Sequence, residues 1–185
     1  MVVLPPWPSA PLPAGPVVLR AFGAGDVAMV RELATDPYVP LIGTLPAAAD
    51  DDQARAWIDR QHAHHVDGTG FSFAVADAAG DRALGAVGLY LRELTEGRAT
   101  AGYSTAPGAR GHGTAAHALR AVTSFAWTIP DLHRVALYVE PWNTASVRTA
   151  ERAGYRREGL LRSHTEVAGR RRDMLLFAAV RPTTG

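Results

Sequence analysis

The stretch from Ala101 to Arg120, AGYSTAPGARGHGTAAHALR, limits what this chain can fold into more than any other. It reads as a strand, a proline-glycine loop, a glycine-rich turn and the opening of a long helix. A mixed α/β architecture follows, with that strand inside a sheet. Within the stretch, Arg110-Gly111-His112-Gly113-Thr114-Ala115 fits the pattern Arg/Gln-x-x-Gly-x-Gly/Ala. Glycines let backbone N–H groups turn inward and let a ligand come close, where a Cβ would obstruct both. The helix start adds unpaired N–H groups and a partial positive charge. With the Arg110 guanidinium beside it, the turn makes a cradle for phosphate. A tight strand-to-helix turn needs glycine for steric reasons as well, so the hexapeptide in isolation supports both readings equally.

The rest of the chain narrows the choice. Its 185 residues suffice for one buried core, and 47% hydrophobic with 20% charged residues is ordinary for a globular protein. A formal net charge of +1 gives no argument for nucleic acid or for an anionic membrane. There are no cysteines, which excludes disulfides, thiolate metal sites and a cysteine nucleophile. Lysine is absent and arginine takes its place throughout. With abundant alanine and glycine this reflects GC-rich coding, so the arginine excess by itself says nothing about phosphate. No apolar run is long enough to span a membrane, and no basic leader precedes an apolar core at the N-terminus. The expected location is the cytoplasm.

Residues 1–16, MVVLPPWPSAPLPAGP, hold too many prolines for a helix or a central strand. They read as an extended arm with Trp7 as its candidate anchor, and the globular domain is expected over residues 17–185. After a strand at Val17–Phe22, Asp26 is placed to cap a helix carrying Val27, Val30, Leu33 and Ala34 on one face. Residues 38–49 read as loop. Asp50-Asp51-Asp52 opens a second helix whose apolar stripe is Ala54, Trp57 and Ile58. It ends in His62-Ala63-His64-His65, with no acidic or cysteine partner at metal-ligand spacing, so a solvated helix end is expected and no metal. Strands follow at 71–76, 84–91 and 99–105, with Ala79-Gly80-Asp81 as a hairpin turn and Gly85 and Gly88 marking a bulge or a close backbone approach. The helix from Gly113 keeps apolar residues at Ala115, Ala118, Leu119, Val122, Phe125 and Ala126 and stops near Pro130. Val135–Val139 reads as a strand, Asn143–Ala153 as a helix closed by Gly154, and 155–166 and 174–180 as the last strands. The order βααβββαβαββ describes a mixed, mostly antiparallel sheet with flanking helices and one crossover to a parallel strand.

Three motifs in this order resemble the GNAT superfamily of acyl-CoA N-acyltransferases, and within it the branch of the ribosomal-protein alanine acetyltransferases. The first is Gly102-Tyr103, then Pro107 and the loop Arg110–Ala115. The second is Val139-Glu140-Pro141-Trp142-Asn143-Thr144-Ala145-Ser146, followed by Glu151-Arg152-Ala153-Gly154-Tyr155. The third is Glu158-Gly159-Leu160-Leu161-Arg162, with Gly169 and Asp173 before the final apolar strand. The similarity spans about residues 17–181. It implies that acetyl-CoA, as cosubstrate, lies in a V-shaped opening between the strand ending at Tyr103-Ser104-Thr105 and the strand Val135–Val139. The pantetheine would pair with the first of these, and the diphosphate would sit on Arg110, Gly111, His112, Gly113, Thr114 and Ala115. His112 enters through its backbone N–H, and Asn143 contacts the pantetheine arm.

For chemistry, the resemblance implies attack of a neutral primary amine on the thioester, with the acceptor a peptide N-terminus or a small amine. Many relatives use a tyrosine acid where this chain has Ala150. The ribosomal branch uses the serine of Asn-x-x-Ser instead, here Ser146, for which hydrogen bonding inside the helix's first turn is the plain alternative. The base is open. Thr100 stands where many relatives have glutamate, and an ungapped count places the ribosomal branch's glutamate on Thr165, between His164 and Glu166. Glu166 and Glu140 are the carboxylate candidates, with a solvent relay as the third option. Another donor such as succinyl-CoA, or an acyl-CoA binder without turnover, are the rival readings. By resemblance the acceptor pocket falls at residues 36–65 and 162–173, and homodimers are common among relatives. No sequence feature calls for nucleic acid, membrane or metal.

Overall fold

One eight-stranded sheet organises the computed structural model, which describes residues 4–183. Its strands are β1 (Leu12–Ala14), β2 (Val17–Arg20), β3 (Gly70–Asp77), β4 (Ala83–Tyr90), β5 (Arg98–Thr105), β6 (Arg134–Val139), β7 (Arg156–Val167) and β8 (Arg170–Val180). They lie in the order β1-β2-β3-β4-β5-β6-β8-β7. Neighbours are antiparallel except β5 and β6, which run parallel because a helix connects them. The helices are α1 (Val27–Ala34), α2 (Val39–Ile42), α3 (Asp51–Val66), α4 (Thr114–Ala126) and α5 (Thr144–Arg152). This is the mixed, mostly antiparallel α/β sheet with flanking helices that the sequence predicts.

Alternation along β3 divides the helices between two faces. Phe71 and Phe73 meet Phe125 of α4 on one face, while Ser72 on the other meets His64 of α3. Leu19, Leu33, Phe71, Phe73, Leu89, Leu119 and Phe177 are almost wholly buried, each contributing about 1.5–3 kcal/mol. Side-chain caps fix the helix starts. Asp50 accepts the Gln53 N–H at 2.8 Å while Gln53 accepts the Asp50 N–H at 3.0 Å, a capping box that opens α3. Asn143 accepts the Ser146 N–H at 3.1 Å and opens α5.

The structure departs from the sequence reading in four places. Asp26 does not cap α1: its carboxylate is gripped by both guanidinium nitrogens of Arg20, at 2.7 and 2.9 Å, and accepts the Gly23 N–H. A bidentate charged partner outweighs a cap. Residues 39–42 are helical rather than loop, because Asp36 Oδ1 takes the N–H groups of Tyr38 and Val39. Leu12–Ala14 is an edge strand paired with β2, which prolines permit at an edge. β8 begins at Arg170, where its run of arginines hides the strand pattern, and turns from β7 through Ala168 and Gly169 at positive φ.

Trp7 finds the anchor that its position suggests, with its ring 4.8 Å from Phe73 and 5.8 Å from Phe71. Trp7→Ala is expected to cost about 2 kcal/mol. Urea unfolding midpoints measure it, and CoA affinity should not change.

Candidate active site

β5 and β6 share register only over Arg98–Thr100 and Arg134–Ala136. Beyond that point β5 stays with β4 as far as Thr105, and β6 stays with β8 as far as Val139. The two strands therefore splay, and Ala101–Thr105 keeps one backbone edge open, able to pair with an extended ligand as an added strand would. At the wide end of the splay stands the glycine turn. Gly111 and Gly113 have φ of 87° and 77°, where an L side chain is strained, and Gly113 leads into the first turn of α4. A cleft of about 570 Å³ runs along this edge, lined by Tyr103, Ser104 and Thr105, the cradle, and Asn143 and Ser146 of α5. Arg148 and Arg152 of α5 line it too. Sequence reading did not single them out, although their spacing of four places them on one helix face. Backbone donors, a helix start and exposed arginines are the donor set that a diphosphate requires.

Arg110 has a second task. Its Nη2 donates to Asp36 at 2.6 Å and its Nε to the Thr105 carbonyl at 3.1 Å. Glu32 accepts the Gly108 N–H at 2.7 Å. α1 and the turn after it thus brace the cradle at two points. Burial opposes the charge on Asp36, but the N–H of Val39, the Arg110 guanidinium and the N–H of Tyr38 outweigh it and hold the carboxyl below its usual range. A carboxyl depressed in the folded state stabilises above its unfolded pKa and ceases to as pH falls through the folded one. Asp36→Ala is expected to lose about 2–3 kcal/mol at neutral pH. The gap to wild type should narrow as pH falls below the ordinary carboxylate value of 3.8. Urea midpoints across that range measure both.

A second cavity, about 690 Å³, opens on the other side of β5 and meets the cleft at Tyr103, Ser104, Val39 and Ile42. Its floor is made of small residues from β3, β4 and β5: Ser72, Ala86, Gly88, Thr100, Gly102 and Ser104. Trp57, Gln61 and His64 of α3 stand over that floor. Residues 162–173 line neither space, since the β7–β8 hairpin bends away through Ser163 at positive φ. Its nearest link to the cavity is His164, whose ring stacks 4.8 Å from that of Tyr138 on the cavity wall.

The candidate catalytic residues are not gathered in one place. Ser146 is half-buried in the first turn of α5 and lines the cleft, with its side chain beside the Tyr103 hydroxyl. That hydroxyl donates to the Ser146 carbonyl at 3.4 Å and so crosses the splay. In α5 it is Thr149 whose hydroxyl bonds back into the helix, to Ala145, while no backbone carbonyl among the described residues takes a bond from the Ser146 hydroxyl. Glu140 is buried behind the cleft, 3.5 Å from Arg172 and next to Tyr38, whose hydroxyl is pushed up by burial and by that carboxylate. Glu140 lines neither space. Glu166 is exposed on β7 opposite Arg171, also outside both. The three histidines of α3 each have a separate protein partner: Phe22 carbonyl for His62, Ser72 hydroxyl for His64, Pro5 carbonyl for His65.

A family model described as an acetyltransferase (GNAT) domain matches residues 17–156, more than half of the chain. The chain belongs to the GNAT acetyltransferase family. It is 26% identical over 165 residues to an uncharacterized N-acetyltransferase, p20, of Bacillus licheniformis, covering 89% of this chain and 93% of that protein. Among solved structures, Mycobacterium smegmatis RimJ in complex with a CoA disulfide matches with a TM-score of 0.75 and 27% identity, over 92% of this chain and 86% of that one. A Vibrio cholerae spermidine N-acetyltransferase in complex with CoA and spermine shares the fold at a TM-score of 0.70 and 23% identity, over 89% and 95% of the two chains. As a GNAT member the chain is an N-acetyltransferase, and acetyl transfer from acetyl-CoA is the family's general reaction.

Proposed function

We propose that the protein transfers the acetyl group of acetyl-CoA to the single primary amine of a peptide N-terminus or a small monoamine. The observation that carries this reading is the junction at Tyr103 and Ser104, where cleft and cavity share walls. A ligand with its diphosphate in the cradle and its arm along β5 presents its thioester at that junction. An amine entering from the cavity meets it there. The cavity wall holds one carboxylate, Glu93, which lies 3.5 Å from Arg98 and next to Arg92. A polycation such as the spermine in the Vibrio cholerae structure would need more acid than this. An α-amine also suits the site, because its pKa of about 8 leaves a useful neutral fraction near pH 7. Ser146 is assigned to the leaving thiolate and Asn143 to the pantetheine arm, with the α5 cap holding both in place.

Intact mass spectrometry of products from acetyl-CoA and succinyl-CoA, each offered with alanyl- and seryl-terminated peptides, an amino sugar and spermidine, tests the reading. Acetylated peptide or amino sugar in excess of spermidine product is expected. Succinylated products instead would move the donor assignment. Tight CoA binding with no modified amine would reduce the protein to a binder.

A further inference from the structure

We propose that His64 is the general base of the acetyl transfer, drawing the proton of the acceptor amine across the floor of the cavity. This rests on the acetyl-transfer reading above and adds the group that reading lacks. Neither Glu140 nor Glu166 lines the cavity, and Thr100 on its floor has no basic atom. Of the other ionisable groups that do line it, Arg92 cannot take a proton, Glu93 is engaged with Arg98, burial pushes the hydroxyls of Tyr90 and Tyr103 up, and Tyr138 is stacked on His164.

The backbone register puts His64 on one line with the junction. Ser72, Gly88 and Gly102 stand opposite one another across β3, β4 and β5. His64 sits over the first of them, its Nδ1 2.8 Å from the Ser72 hydroxyl. Gly102 ends the row on the open strand, next to Tyr103 and Ser104. The two glycines keep the row low. A Cβ at Gly88 would stand 2.8 Å from the Tyr90 hydroxyl, so only glycine lets that ring lie over the floor. Tyr90 in turn packs edge-on against the His64 ring, 5.5 Å between centroids. Two strand spacings separate Ser72 from Gly102, roughly 10 Å. That span is longer than one water can bridge, so the imidazole reaches the amine through a short chain of about two waters in the cavity, beside the Tyr90 ring.

His64 is suited to the task by what faces it. In the tautomer with its proton on Nδ1, the ring donates to Ser72 and leaves the Nε2 lone pair unbonded by protein among the described residues. His62 and His65 differ, because each already uses Nε2 on a backbone carbonyl. Burial and then the Arg92 charge lower the pKa of His64, with Asp67 at the end of its own helix opposing. Tyr90, Glu93, Tyr103 and Tyr138 are the remaining ionisable groups on the cavity wall among the described residues. The ring is thus neutral at pH 7. A weak base suffices, since the amine nitrogen becomes acidic as its lone pair bonds to the thioester carbonyl carbon. In the balanced step the N–C bond forms and the C–S bond breaks. The excess proton on nitrogen passes along the chain of waters to Nε2, and the departing thiolate takes a proton from the Ser146 hydroxyl, which regains one from solvent. His64 then releases its proton to solvent.

The test uses the full chain with acetyl-CoA and an alanyl tetrapeptide. His64→Asn keeps a polar atom near the Nδ1 position and lacks Nε2. It is expected to lower kcat/KM about ten- to a hundredfold, to leave CoA affinity unchanged, and to abolish the lower inflection of the wild-type acidic limb, the one below the ordinary histidine value of 6.5, while the inflection of the acceptor amine itself at about 8 remains. Ser72→Ala leaves the imidazole but frees its tautomer. A smaller loss, about threefold to tenfold, is expected there, with the limb retained. Nitrogen NMR of the unliganded protein should show His64 Nε2 without a proton at neutral pH, a readout independent of turnover. Wild-type kcat/KM and an unchanged acidic limb in His64→Asn would overturn the inference while leaving the transferase reading intact. A protonated Nε2 in wild type would do the same. A wild-type protein that binds CoA yet acetylates no amine overturns the transferase reading, and the base with it.

Discussion

Replacing Gly113 with valine is expected to lower CoA affinity at least about a hundredfold while the domain stays folded. Gly113 holds φ 77° immediately before the first turn of α4, and a β-branched residue is an outlier in that region. The space itself is not the obstacle, for a Cβ there would approach nothing closer than His117 Cδ2 at 3.7 Å. Relief comes instead by rotating the turn out of the left-handed region. That swings the N–H groups of Thr114 and Ala115 off the cleft, and each charged hydrogen bond lost is worth about 1.5–3 kcal/mol. Calorimetry with CoA measures the loss, and circular dichroism reports the fold. Unchanged affinity would mean that the glycine serves the turn and not a ligand. Arg110→Ala makes the useful contrast. With its guanidinium on Asp36 and the Thr105 carbonyl, its removal should cost stability as well as affinity.

What could be read from the sequence was whatever is local in the chain. Helix and strand periodicity, the glycine turn and the Asn143 and Asp50 caps all depend on residues within a few positions of one another, and they stand where expected. The parallel β5–β6 pair was legible too, because a helix between two strands requires it. What stayed hidden depends on partners far apart. Asp26 looks like a helix cap until Arg20 is seen to hold it, and Arg110 looks like a phosphate ligand alone until Asp36 arrives from another element. Of the cavity beside β5, the wall from residues 36–65 was anticipated, while its floor was not, because the smallness of Ser72, Gly88 and Gly102 matters only once strand register brings them into one row. The contact between His64 and Ser72 was hidden for the same reason. A histidine at a polar helix end looks solvated, and nothing local says that Ser72 lies beneath it. The carboxylates were misleading in the opposite sense. Glu140 and Glu166 were visible as acids near motifs, while their burial with Arg172 and their exposure on β7 are properties of the folded sheet.

Ser146→Ala is expected to lower kcat and kcat/KM together, about ten- to a hundredfold, with CoA affinity nearly unchanged. The motive is its place in the first turn of α5 on the wall of the cleft, with Ala150, one turn further along, fully buried and without a proton to give. A hydroxyl that donates to sulfur gains strength only as charge develops on the departing thiolate. One such charge-assisted bond is worth about 1.5–3 kcal/mol, which sets the range. The Tyr103 hydroxyl is the competing donor. It lies beside Ser146, but it already bonds the Ser146 carbonyl, and burial pushes it up and makes it a poorer acid. Tyr103→Phe should therefore loosen the bridge across the splay and raise the KM for acetyl-CoA more than it lowers kcat. Asn143→Ala should likewise act on KM, and on stability through the lost cap of about 1 kcal/mol. Single-turnover measurements are required, since slow product release would mask a change in the chemical step. If the Ser146 hydroxyl only braces the helix, Ser146→Ala will turn over at the wild-type rate under those conditions. The larger loss would then appear in Tyr103→Phe, and the acid would have to be assigned to β5 rather than α5.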